Sequence, residues 1–150
     1  MKKIELITIG RIKEAYLSDA IAEYSKRLSR FCNLKIIELK EESDEAIAVK
    51  RESALILDAL GGVSILLDLK GKLVTSNGIA TDIDTIFTNG AQKLQFVIGG
   101  SNGVSQEVKS AVQKSYCFGN ITYPHQLMRI VTLEQIYRAL TILAGTPYHK

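Results

Sequence analysis

The sequence predicts an α/β fold in which a mainly parallel sheet carries helices on both faces, within one domain of residues 1–150. Strand-like and helix-like segments alternate along the whole chain, which is the pattern of parallel α/β proteins. The segments VSILLDL (63–69) and LQFVIGG (94–100) are nearly continuous apolar runs, typical of strands covered on both faces. A length of 150 residues with 46% apolar residues suits one domain with a substantial core.

Five strands and five helices follow from these patterns in chain order. The predicted strands are Ile4–Gly10, Leu34–Lys40, Val63–Leu69, Leu94–Gly100 and Tyr116–Tyr123. The helical patterns cover residues 13–30, 44–60, 77–89, 105–114 and 125–144. The charged stretch KEESD (40–44) is interpreted as a loop and helix start rather than a domain boundary. Ser105 is a suitable N-cap for the fourth helix, and Pro124 suits the start of the last.

The last helix has an unusually broad apolar arc. Ile130, Leu133, Tyr137 and Leu140 form one stripe, and Leu127 with Val131 begins a second. Such an arc needs cover on more than one side. A core together with a subunit interface would supply that cover, and so would a central position in a single core.

Charge and apolar patterning argue against a secreted protein and a membrane-spanning one. The net charge of +3 permits nucleic acid as a partner without requiring it. The N-terminal apolar run breaks at Gly10-Arg11 without a cleavage site, and no apolar stretch is long enough for a membrane span. Cys32 and Cys117 are isolated from each other, so we expect a cytoplasmic protein with neither disulfides nor a metal site.

The segment FVIGGSNGVSQEV (96–108) is a candidate ligand site. A buried strand runs into a glycine-rich turn, and a helix follows whose N-terminus could receive an anion. The segment is neither GxGxxG nor a P-loop. The pattern alone favours a plain strand-to-helix turn and leaves ligand binding open.

The C-terminal segment is a second candidate, because both histidines of the chain, His125 and His149, fall within it. A histidine can move protons near neutral pH, and Lys150 can hold a phosphate. Glu134 and Arg138 are spaced i, i+4 and could form a simple surface ion pair. Composition by itself favours a disordered tail at these last residues.

Taken together, several motifs resemble one family over essentially the whole chain. The segments FVIGGSNG, TYPHQLMRIVTLEQIYRA and the ending PYHK are similar to the ribosomal RNA large subunit methyltransferase H family, a minimal branch of the SPOUT methyltransferases. The segments ITIGRIKE, AEYSKRL and LLDLKGK match it as well. Ser101 and Asn102 stand where some members have Pro and Glu. Lys150 replaces the arginine that ends many members, which exchanges a bidentate guanidinium for a point charge.

The resemblance implies a SPOUT-type α/β fold with a C-terminal trefoil knot, acting as a homodimer. It implies methylation of N3 of pseudouridine 1915 in helix 69 of 23S rRNA, in the assembled 70S ribosome and with S-adenosylmethionine. It also implies a cofactor site built largely from backbone, with Leu67, Phe118 and Ile121 walling the adenine. The implied cofactor residues are Leu67, Gly99, Gly100, Phe118, Gly119, Asn120, Ile121, Thr122 and Tyr123.

For the active site we hypothesise that His149, or alternatively Glu134, assists loss of the N3 proton. Tyr148 would stack on the base, and Arg129 and Lys150 would hold RNA phosphates there. His125 is expected to lie structurally beside the cofactor loop. Two other functions stay open: a SPOUT methyltransferase acting on another RNA, and a non-catalytic ribosome-binding protein.

Overall fold

A computed structural model describes residues 1–150 and contains five strands and five helices in alternation. The strands are β1 (Lys2–Ile9), β2 (Cys32–Leu39), β3 (Val63–Leu73), β4 (Leu94–Val97) and β5 (Lys114–Cys117). The helices are α1 (Ala15–Leu28), α2 (Glu45–Ala59), α3 (Ser76–Thr88), α4 (Gln106–Ala111) and α5 (His125–Ala144). No helix is both long and apolar enough to cross a membrane.

All strand pairs are parallel, in the order β2-β1-β4-β3-β5. The larger core joins one face of this sheet to α1, α3 and α5, and includes Leu28, Ile83 and Leu133. A smaller core joins the opposite face to α2 and α4 through Ile56 and Val108. The predicted α/β fold with helices on both faces of a parallel sheet is therefore confirmed.

The last two strands end earlier than the sequence predicts. β4 stops at Val97 instead of continuing to Gly100, and β5 covers Lys114–Cys117 instead of Tyr116–Tyr123. Residues 118–124 form an irregular loop in which Gly119 adopts a φ of +112°, a conformation that favours glycine. The prediction of a strand across Tyr116–Tyr123 was wrong, since the apolar residues after Cys117 line a cavity instead of pairing with a neighbouring strand.

The broad apolar arc of α5 is only partly covered by the core. Leu133 and Leu140 are buried as the stripe predicts, and Ile136 and Ala139 join them. Leu127 and Leu143 each remain 38% exposed. One protomer therefore leaves part of this helix without apolar cover.

Arg129 joins α5 to the carboxyl edge of the sheet. Its side chain is only 1% exposed and donates to Glu38 Oε2 at 2.8 Å. It also donates to the carbonyl oxygens of Ile9 at 2.7 Å and Gly10 at 2.9 Å. Burial lowers the pKa of the guanidinium, and the neighbouring Glu38 opposes that shift. This position disagrees with the prediction that Arg129 holds RNA phosphates, because the side chain is buried and both Nη1 and Nη2 donate inside the protein.

We expect Arg129→Ala to lower the free energy of unfolding by about 3 kcal/mol, because two buried carbonyls would lose their donor and a cavity would form. Glu38→Gln should cost less than about 1 kcal/mol, since the Glu38 side chain is 39% exposed. Urea unfolding followed by circular dichroism at one protein concentration measures both losses. Equal losses for the two variants would contradict this account of the contact.

Candidate active site

A cavity of about 720 Å³ opens at the carboxyl ends of β3 and β4. Its walls come from three separate parts of the chain, namely residues 66–69, 98–104 and most of 118–125, with additional side chains from β5, α4 and α5. Ligands of open α/β sheets bind in crevices outside the carboxyl ends of the strands. The cavity is therefore where the topology of this sheet favours a ligand.

The glycine-rich segment forms a tight turn and also lines the cavity. Gly103 N–H donates to the Gly100 carbonyl at 3.0 Å, which closes the turn. Ser105 caps α4 by accepting from Val108 N–H at 3.3 Å, and its own N–H donates to Ser53 Oγ at 2.9 Å. A Cβ at Gly99 would lie 2.7 Å from Val104 Cγ1, so this close packing requires glycine. The tight strand-to-helix turn that the pattern favours is therefore present, and its residues also line the cavity.

The structure brings most of the predicted cofactor residues together around this cavity. Asn120 is the exception, because it does not form part of the wall. His125 lines the cavity, as its expected position beside the loop requires. The predicted residues that line the cavity are Leu67, Gly99, Gly100, Phe118, Gly119, Ile121, Thr122 and Tyr123.

Sequence reasoning missed the charged side chains of the wall, Asp68 and Lys109. They face each other with Nζ and Oδ2 3.9 Å apart. Asp68 also accepts from Lys70 N–H at 3.2 Å, in an irregular stretch of β3 where the pairing with β5 shifts register. A carboxylate within the otherwise apolar run VSILLDL was the signal available in the sequence. The wall thus offers one carboxylate acceptor among backbone and apolar groups.

A second group of predicted residues lies along the C-terminal half of α5 and in the residues that follow the helix. Glu134 Oε1 accepts from Arg138 Nε at 2.9 Å and from Nη2 at 2.6 Å, which raises the pKa of the arginine. The guanidinium carbon of Arg138 lies 4.7 Å from the Tyr148 ring centroid, and the Tyr148 ring packs edge-on against Tyr137 with centroids 4.8 Å apart. We call Glu134, Arg138, Tyr148 and His149 the tail cluster.

His149 is held within the tail cluster, since Arg138 Nη1 lies 3.3 Å from its Nδ1. The tail is therefore packed against α5, whereas composition alone favours a disordered one. Lys150 follows and is exposed. No group of three or more His, Cys, Asp or Glu side chains is arranged to hold a metal ion.

The cavity and the tail cluster lie apart within one protomer. Met128 lines the cavity and Arg138 stands ten residues further along the same continuous helix. At the helical rise per residue, this separates them by about 15 Å along the axis. No residue of the tail cluster lines the cavity of its own chain.

The fold and the cavity define a SPOUT methyltransferase, since the model of that family, described as a predicted SPOUT methyltransferase, matches residues 1–149. A ribosomal RNA large subunit methyltransferase H from Clostridium botulinum is 45% identical over 98% of this chain and 99% of the relative. A relative of the same name from Fusobacterium nucleatum is 44% identical over 98% of this chain and 99% of the relative. Another from Streptococcus pneumoniae is 43% identical over 99% of this chain and 99% of the relative. The chain belongs to the ribosomal RNA large subunit methyltransferase H family.

Proposed function

We propose that this protein methylates N3 of pseudouridine 1915 in helix 69 of 23S rRNA, using S-adenosylmethionine. The substrate would be the assembled 70S ribosome in the cytoplasm, and the active form a homodimer. The observation that carries the proposal is that three distant segments, each matching a family motif, line one cavity. The names and near-complete coverage of the relatives support the same activity.

The cavity fits S-adenosylmethionine in size and in chemistry. About 720 Å³ lies within the range of sites for ligands of this size. Leu67, Phe118 and Ile121 offer apolar surface to an adenine, and the Asp68 carboxylate can accept from ribose hydroxyls or the ammonium group. When bound, S-adenosylmethionine supplies a methyl group on a positively charged sulfur. The trefoil knot that the resemblance implies stays a prediction.

The chain's contribution to methyl transfer is chiefly positioning. The reacting nitrogen must be aligned behind the methyl group, and holding both in line accounts for a large share of such rate enhancements. The loop walls at Gly99 and Gly119 fix one side of that geometry. Tyr148 supplies an aromatic face for the target base, and exposed Lys150 a charge for phosphate.

The separation within one protomer supports a site shared between two subunits. An isologous dimer formed along α5 would place the tail cluster of each chain at its partner's cavity. The exposed Leu127 and Leu143 provide apolar surface on that helix for such contact. Two chains together also double a net charge that is only +3 in one. Recognition of RNA would then depend more on the shape of the ribosome than on charge.

We expect Gly99→Ala to weaken binding of S-adenosylmethionine at least about tenfold, because the new Cβ displaces the loop at Val104. The double variant Gly99→Ala/Val104→Ala should recover most of the affinity. Gly61→Ala is the matched control, since only the flexible Lys93 Nζ lies near its Cβ position, at 3.7 Å. Isothermal titration calorimetry measures all four proteins, and unchanged affinity in Gly99→Ala would contradict the proposed site.

Purified protein should methylate 70S ribosomes from a strain that lacks this modification, at one pseudouridine of helix 69. Mass spectrometry of that RNA fragment measures the product.

Deleting Tyr148–Lys150 should abolish methylation and leave cofactor binding and dimerisation intact. Methylation of tRNA alone would favour a different RNA substrate, and absence of cofactor binding would favour a non-catalytic ribosome-binding protein.

Mixed dimers test whether the two halves of the site come from different subunits. One subunit carries Gly99→Ala and the other lacks Tyr148–Lys150. The assay uses S-adenosylmethionine well below the Kd of the Gly99→Ala protein, so that each homodimer has little activity. In a heterodimer the intact tail of the first meets the intact cavity of the second, so about half of the wild-type rate should return. An inactive heterodimer would show that each tail serves its own chain.

A further inference from the structure

The contact between Arg138 and His149 determines which imidazole nitrogen is available for chemistry. Arg138 is fixed on two sides, by two bonds to Glu134 Oε1 and by the Tyr148 ring. Its third group, Nη1, faces His149 Nδ1 at 3.3 Å. A guanidinium has only donors. Nδ1 must therefore accept, and the ring proton of a neutral His149 must be on Nε2.

We infer that Arg138 is a positioning residue that holds His149 as its neutral Nε2–H tautomer, so that His149 donates a hydrogen bond to the target base instead of removing its proton. The opposite tautomer and the imidazolium both place an N–H on Nδ1, opposite an N–H of Arg138. This inference rests on the proposed function, because it assigns the donor to a pseudouridine imide.

The assignment suits the chemistry of N3 methylation. N3 lies between two carbonyl groups, and negative charge develops on their oxygens as the N3 proton leaves. An Nε2–H donor beside one of these oxygens stabilises that charge, as an oxyanion-hole donor does. The proton passes to water, the electron pair of the N–H bond forms the new bond to the methyl carbon, and the pair of the carbon–sulfur bond stays on sulfur.

Glu134 takes a different role from the one its sequence position suggests. Its Oε1 accepts both bonds from Arg138, and its Oε2 is buried without a hydrogen-bond partner. Glu134 therefore orients Arg138, which in turn orients His149. In this proposal no residue of the segment accepts the N3 proton. Glu134 and Arg138 are positioning residues, and His149 is the hydrogen-bond donor.

The first experiment measures the tautomer directly in the full-length protein. Long-range proton–nitrogen NMR correlations distinguish protonated from unprotonated ring nitrogens. The chain has two histidines, so the spectrum of His125→Gln assigns the His149 signals. We expect Nε2 protonated and Nδ1 unprotonated in the wild type, and a mixture of tautomers in Arg138→Met. A wild-type spectrum with Nδ1 protonated would overturn the inference.

The second experiment compares substitutions of His149 by rate. Glutamine keeps an N–H donor near the Nε2 position but cannot act as a base. Alanine offers neither a donor nor a base. We expect His149→Ala to lower kcat about 100-fold and His149→Gln to stay within about tenfold of wild type. Equal losses in the two variants would overturn the donor role.

A double-variant cycle tests whether Arg138 acts through His149. Arg138→Met should lower kcat about tenfold with the KM for S-adenosylmethionine unchanged. In a His149→Gln background it should add almost nothing, because glutamine has no tautomer to fix. Arg51→Met is the matched control and should leave kcat unchanged, since Arg51 is an exposed residue of α2 that pairs with Glu42 far from the tail cluster in sequence. Additive losses would overturn the inference.

These measurements separate the two levels of the proposal. A wild-type protein that never methylates ribosomes would overturn the proposed function and with it the donor role of Nε2–H. The NMR spectrum of the same protein decides the Arg138–His149 contact independently of activity. An active enzyme with His149 protonated at Nδ1 would overturn the inference and leave the proposed function standing.

Discussion

The buried guanidinium of Arg129 is the interaction on which the arrangement of the site depends. It joins α5 to the carbonyl ends of β1 at Ile9 and Gly10, and to Glu38 on β2. The same helix contributes Met128 to the cavity and Arg138 to the tail cluster. A buried charge held by three acceptors tolerates little displacement, because a shift would break its bonds to these acceptors. One contact therefore fixes where both halves of the candidate site lie.

The sequence could not predict this role for Arg129. Helical periodicity places it on a face with His125, but periodicity does not say whether that face meets solvent or the sheet. Arginines are rarely fully buried, so exposure was the reasonable expectation. The partners that decide the matter are the carbonyls of Ile9 and Gly10, which lie about 120 residues away in the chain. A sequence does not show which backbone carbonyls will accept from a distant side chain, because every residue has a carbonyl group.

The core of the fold was predictable, whereas the walls of the cavity were less so. Continuous apolar runs marked β3 and β4 because both strands are covered on two faces. The same signal misled beyond Cys117, where Phe118 and Ile121 are apolar because they face a cavity. A strand in a sheet and a loop around a ligand pocket both select apolar residues, so composition cannot separate them. Asp68 was missed for the converse reason, since a lone carboxylate near the end of a predicted strand is common on protein surfaces.

The length of α5 gives the proposed site its most specific physical consequence. Because the helix is continuous between Met128 and Arg138, its rise holds the cavity residue Met128 and the tail-cluster residue Arg138 about 15 Å apart along the axis. Bending it to close that distance would break hydrogen bonds within the helix and the contacts of Leu133 and Ile136 in the core. In the proposed dimer, a second subunit would close the distance without such a cost. On the proposed function, methyl transfer would then require both a dimer and a bound RNA, and a small chain with a net charge of +3 would gain its selectivity from that double requirement.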